Sequence, residues 1–209
     1  MALAQVQPTP ASALNTRPVT LAVIVGNRGF FPDHLALTGR STILNILQQA
    51  GINAVIPPED ATTVGAITTT PEARIWADYI KARRDDIDGV LITLPNFGEE
   101  YAIADALRFS GLNVPVLVHA WADEIDKMDI ANRRDSFCGK MSACNNLYQY
   151  GIKYTLTSQH TMDPSTPAFM KDLQDFAAVC RVTRGMRTAR LGMMGARPWA
   201  FKTVRYSEK

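Results

Sequence analysis

The residues best suited to chemistry sit in short loops that follow apolar runs. The first loop, Asn27-Arg-Gly-Phe-Phe31, sets an arginine beside two phenylalanines. A guanidinium is a planar fork of donors that suits carboxylate, phosphate or sugar hydroxyls. Next to flat apolar rings it makes one wall of a polyol site, because a sugar stacks an apolar face while its hydroxyls seek donors. Arg28 has two readings, a ligand contact or a surface arginine in a structural ion pair. Asn27 and Phe31 flank it, and a second loop supplies Asn96 and Phe97. A third brings His119 and Trp121. His119 either exchanges a proton with a ligand near neutral pH or is bonded to a backbone carbonyl. Trp121 is either a substrate platform or core packing.

A further segment, Asp135-Ser-Phe-Cys-Gly-Lys-Met-Ser142, reads as a helix start. Asp135 or Ser136 can cap it, its free amides favour anions or sugar oxygens, and Gly139 permits close backbone approach. It is not a P-loop, since G-x-x-x-x-G-K-[ST] is absent. Cys138 is either a nucleophile near a helix N-terminus or an inert thiol, with no adjacent histidine to activate it. The other cysteines are Cys144 and Cys180. Three cysteines without C-x-x-C spacing argue against a disulfide framework or a zinc site. His34, His119 and His160 are widely separated, which gives no metal-ligand spacing. No G-x-G-x-x-G follows the first apolar run, so a flavin or dinucleotide enzyme is the weakest of the function classes weighed.

These loops need a scaffold, and the pattern between them specifies one. Val19–Val25 is a continuous β-branched run, which signals burial on both faces and hence a parallel sheet. Further strands are expected over Asn53–Ile56, Gly89–Leu94, Pro115–Ala120 and Tyr154–Thr157, and a last one over Arg190–Met194. Helices are expected over Thr38–Ala50, Pro71–Ile87, Glu99–Phe109, from Phe137 or Gly139 to Tyr150, and over Ala168–Arg184. Strict alternation with short connections predicts an α/β fold, a flavodoxin-like doubly wound parallel sheet with strand order 2-1-3-4-5. In such sheets ligands lie beyond the carboxyl ends of the strands, and that rule selects the loops above. The expected organisation is a flexible leader (1–18), a flavodoxin-like recognition domain (19–187) and the start of a second α/β domain, cut short (188–209); from pattern alone the last strand can equally close the first sheet.

The 209 residues carry a net charge of +2, unevenly spread. Residues 1–132 hold 9 basic and 15 acidic side chains, a balance of −6; residues 133–209 hold 13 and 5, a balance of +8. The bases are scattered rather than clustered, which argues against nucleic acid and for a surface that faces an acidic neighbour. No apolar run approaches the roughly 18 residues of a membrane span, and no secretory signal opens the chain. A cytoplasmic protein with no membrane partner is the expectation.

Val25-Gly-Asn-Arg-Gly-Phe-Phe31, Leu94-Pro-Asn-Phe97, Val118-His-Ala-Trp121, Asp135–Ser142 and Arg190-Leu-Gly-Met-Met-Gly-Ala-Arg197 occur in an order and spacing that resembles the N-terminal region of the L-fucose/L-arabinose isomerase-like family. The resemblance covers most of residues 19–205. It implies aldose–ketose interconversion through an enediol at a divalent metal, usually manganese, which polarises the carbonyl and stabilises the enediolate. It also implies that the metal's Glu, Asp and His ligands lie in later domains, so that this chain binds no cofactor itself. The first domain is then a recognition lid that reaches a neighbouring subunit's site in a homo-oligomer. Arg28 is the best positional match for a sugar contact, followed by Asn96, Phe97, His119 and Trp121. Family members are more than twice this length, so residues 1–209 alone are expected to be inactive. The competing expectation is a stand-alone sugar or small-anion binding module.

Overall fold

All six residues of the strand β1 (Thr20–Val25) are buried, and so are all six of β3 (Gly89–Leu94) and all five of β4 (Val116–Ala120). Strands sealed on both faces must lie inside a layered structure. The computed structural model, which describes residues 17–187, 189–192, 194–195 and 199–200, shows how the layers form. The shorter strands β2 (Asn53–Val55) and β5 (Thr155–Leu156) complete a five-stranded, all-parallel sheet in the order β2-β1-β3-β4-β5. Five helices alternate with the strands: α1 (Asp33–Gln49), α2 (Thr70–Lys81), α3 (Glu100–Ser110), α4 (Ser136–Gln149) and α5 (Pro167–Arg187).

The pleat divides the core in two. Ala22, Ile24, Val90, Ile92 and Val118 meet α2, α3 and α4 on one face. Leu21, Val23, Val25, Leu91 and Leu117 meet α1 and α5 on the other. Each fully buried aliphatic side chain of this kind contributes about 1.5–3 kcal/mol. Helices on both faces and strand order 2-1-3-4-5 are the arrangement expected from the alternation of apolar runs.

Element boundaries depart from expectation where local chemistry differs. α1 begins five residues earlier than expected, so Asp33 and His34 are helical and the first loop is shorter. Pro32 sits at its N-cap and Asp33 in its first turn, where a carboxylate complements the helix dipole. α2 opens with a capping box: the Thr69 hydroxyl accepts from the Glu72 amide while Glu72 accepts from the Thr69 amide. It ends at Lys81 rather than Ile87, and Arg84–Asp86 forms a separate 3-10 turn. Asp85 and Asp86 are a poor fit for a helix C-terminus, where the dipole is negative.

Sixteen residues of the expected leader, 1–16, lie outside the described residues. So does Met193 of the expected last strand, whose other members Arg190, Leu191, Gly192 and Met194 are in no strand.

Candidate functional site

The loop after β1 is anchored before it turns. The Gly26 amide donates to the Thr93 carbonyl (3.0 Å) and the Asn27 amide to the Ile67 carbonyl (3.1 Å). Arg28 to Phe31 then form a tight turn, closed by the Phe31 amide on the Arg28 carbonyl (2.8 Å). Phe30, at the turn's tip, is 70% exposed, whereas Phe31 folds inward.

The loop after β3 meets it. Asn96 Nδ2 donates to Asn27 Oδ1 (2.6 Å), and Asn96 Oδ1 accepts from the Gly98 amide (3.1 Å). Asn27 Nδ2 reaches Asp33 Oδ1 and Thr68 Oγ1. Both asparagines are buried, and their mutual bond ties loop to loop. Phe97 is placed by α4. A Cβ built on Gly139 would stand 1.9 Å from the Phe97 carbonyl oxygen, so only glycine lets the helix come this close.

The outcome is a half-exposed cluster at the carboxyl edge of the sheet. The Arg28 guanidinium lies 4.6 Å from the Phe97 ring centre and 5.4 Å from that of Phe30. Phe31 stacks on Phe97 with centroids 5.9 Å apart. Arg133 lies over Phe31 at 5.7 Å. Arg134 covers Trp121 at 5.0 Å and donates from Nη1 to the Pro95 carbonyl (2.9 Å). Each guanidinium has its own carboxylate: Arg28 with Glu100 (3.3 Å), Arg133 with Asp135 (3.4 Å) and Arg134 with Glu124 (3.6 Å). The rim is therefore close to charge-neutral.

His119 lies in the core, and Trp121, covered by Arg134, joins it there. His119 is fully buried on the α5 side of the sheet, its ring 4.5 Å from that of Phe169. Its Nε2 contacts the Met162 carbonyl (3.0 Å) and its Nδ1 the Thr93 hydroxyl (2.9 Å). A carbonyl only accepts, so Nε2 carries the proton and Nδ1 accepts from Thr93. The Trp121 Nε1–H donates to the same Thr93 oxygen (3.2 Å), which closes an ordered chain from Trp121 through Thr93 and His119 to Met162. Burial lowers the His119 pKa to about 4, partly offset by the bond to Met162. His119 thus bonds a backbone carbonyl, and Trp121 is buried.

At the start of α4, Asp135 occupies the N-cap position with a left-handed backbone (φ 50°) but makes no side-chain cap bond. The amides of Arg134 and Asp135 donate instead to Asp123 Oδ1 (2.9 and 3.1 Å). Lys140, one turn on, is buried and donates to Thr157 Oγ1 and the His160 carbonyl, both at 2.8 Å. Cys138 is exposed, and Cys144 is buried. Glu100 and Arg133 were not marked by sequence reasoning. The only signal for Glu100 was an acidic residue in the first turn of the helix after the Asn96–Phe97 loop.

Cavities of about 530 and 430 Å3 open at the opposite, amino edge. Of their basic lining residues, Arg108, Arg184 and Arg187 stand in the last turns of α3 and α5, while Arg17, Arg84 and Lys153 come from the connecting segments. The three helical arginines complement the helix C-termini. Among the described residues, no group of three or more His, Cys, Asp or Glu side chains is placed to hold a metal ion. The described residues offer no donor set that fits the divalent cation implied by the resemblance. Nor is any described helix long and apolar enough to cross a membrane.

The topology and the loop cluster together define a doubly wound α/β domain with its polar and aromatic groups gathered at the carboxyl edge. A comparison with curated proteins returns no match. A family model for the N-terminal domain of fucose/sulfoquinovose isomerase matches residues 22–187, which takes in the whole sheet except the first two residues of β1. The chain belongs to that family, as its N-terminal domain.

Proposed function

We propose that the carboxyl-edge cluster is a sugar-contacting face, and that the chain supplies substrate recognition to an aldose–ketose isomerase whose metal is held by other residues. The observation that carries this reading is the Arg28 guanidinium held over the Phe97 and Phe30 rings, half-exposed and with donors to spare. Rings offer a flat surface to the apolar face of a pyranose, and the guanidinium offers hydrogen bonds to its hydroxyls. Because every rim arginine has a carboxylate partner, the face favours an uncharged polyol over a small anion. Asn27 and Asn96 set the distance between the two loops, and Phe31 backs Phe97.

Phe30 is 70% exposed and the Arg28 and Glu100 side chains are partly exposed, whereas small-molecule sites usually bury most of their ligand. A second surface must close over the sugar, and a neighbouring subunit in a homo-oligomer is the arrangement this reading favours. Proton transfer and carbonyl polarisation would belong to that second surface.

Ligand-dependent thermal stabilisation tests the reading. At saturating L-fucose or a related pentose the melting temperature rises, and Arg28→Ala abolishes the rise while leaving the unliganded melting temperature within about 2 °C, as a half-exposed ion pair contributes little stability. No shift across neutral sugars, or a shift that survives Arg28→Ala, would overturn it.

A further inference from the structure

The Arg28–Glu100 pair is under-bonded in a way that a packing role does not require. The separation is 3.3 Å, longer than the about 2.7–2.9 Å of a good charge-assisted bond. Both side chains remain accessible, at 28% and 25%. Among the described residues this is the only hydrogen bond that either side chain makes. A guanidinium has five N–H donors and a carboxylate about four acceptor sites, so most of the capacity on each side is unused. Spare donors and spare acceptors therefore stand side by side, at the edge of the platform formed by Phe97 and Phe30.

We propose that Glu100 is a specificity-determining residue of the sugar-contacting face, and that it and Arg28 together read two neighbouring hydroxyls of the sugar. One hydroxyl accepts from the guanidinium. The next donates to the carboxylate, and the ring's apolar face rests on Phe97. A sugar that lacks either hydroxyl leaves a charged group facing an apolar carbon, which costs more than the loss of a neutral contact. Glu100 is well placed for this because it opens α3, which fixes its backbone while the side chain projects from the first turn. The inference rests on the sugar-contacting reading above.

The test is an NMR titration of the isotope-labelled 209-residue chain with L-fucose and with its monodeoxy derivatives, each lacking one ring hydroxyl. The amides of Phe97 and Gly98 and the Arg28 Nε–H report binding. The wild-type chain binds L-fucose about tenfold more tightly than at least one monodeoxy sugar. In Glu100→Ala that ratio falls to near one, and in Glu100→Gln, which keeps an acceptor oxygen but loses the charge, it falls several-fold. Glu100→Gln serves alone should the alanine variant fail to fold. A ratio near one in the wild type overturns the inference. So does a tenfold ratio preserved in the folded Glu100 variants while Arg28→Ala abolishes binding, an outcome that leaves the sugar-contacting face standing. No shifts with any of these sugars overturn both.

Discussion

His119 shows how one residue type acquires its role from its neighbours. Its two ring nitrogens are committed to Thr93 and Met162, and its ring packs on Phe169 in the core. Protonation would add an Nδ1–H donor facing a hydroxyl that already receives the Trp121 proton, and would place a charge in the core. Burial accordingly lowers its pKa from 6.5 to about 4. In the unfolded chain the same group titrates near 6.5, so below that pH the unfolded state binds the extra proton first. Stability is then fully present above pH 6.5 and is lost as pH falls toward 4. At pH 4.5 the contribution lost is about 2–3 kcal/mol. Urea unfolding of the wild type and of His119→Gln at pH 7 and 4.5 measures it. The variant is the less stable at pH 7 but loses that much less on acidification, and equal losses in both would disprove the assignment.

At the scale of elements, the sheet is gripped at its amino edge by one carboxylate. Asp88, just before β3, accepts from Arg17 Nη2 (2.8 Å), from Arg184 Nη1 (2.9 Å) and from the Thr20 amide (3.0 Å). Its side chain is 1% exposed. A single buried anion thus joins the chain before β1, the first residue of β1 and the last turn of α5. Removing one member of a buried pair leaves the other charge uncompensated, at a cost of about 3–5 kcal/mol. Asp88→Ala should lower stability by that amount in denaturant titration, with the edge of α5 the first region to lose hydrogen-exchange protection. A loss below about 1 kcal/mol would show the cluster to be solvent-screened. The carboxyl edge is organised differently, by neutral bonds such as Asn96 to Asn27 and by the contact of Gly139 with Phe97. It can therefore present its charged groups outward.

Across the whole molecule, the alkaline limb of stability depends on Lys140. It is buried against two neutral oxygens, and no carboxylate lies within salt-bridge distance among the described residues. Desolvation lowers its pKa from 10.5 to about 8. Between those values the unfolded chain holds the proton and the folded one has shed it, so stability rises as pH increases. Cys180 acts in the opposite sense, since burial raises its pKa from 9.0 to about 12 and folding then opposes thiolate formation above pH 9. Melting temperature should climb from pH 8 to pH 9, level off while the two effects offset each other, and fall above about pH 10.5, where only the Cys180 effect remains. Lys140→Met removes the climb, and an unchanged profile in that variant would refute the assignment.

Much of this was legible in the sequence, and the division has a physical cause. The parallel sheet, its 2-1-3-4-5 order and the five helices follow from local patterns. An unbroken run such as Val19–Val25 is stable only between two layers, and short connections leave few right-handed ways to build them. Arg28, Phe31 and Phe97 were also within reach, because a topological rule places the loops after β1 and β3 at one crevice. The sequence could not decide where a side chain points once it leaves its strand. His119 and Trp121 end a strand as Asn96 does, yet they complete a hydrogen-bond chain in the core under α5. Glu100 joins Arg28 across 72 residues of chain. Such pairings depend on distances between loops, which are set by packing at Gly139, by Asn27 with Asn96 and by the Asp123 bonds to the start of α4. Periodicity along the chain determines which segments are buried and in what order they pair; only the packed tertiary structure determines which of their polar neighbours meet.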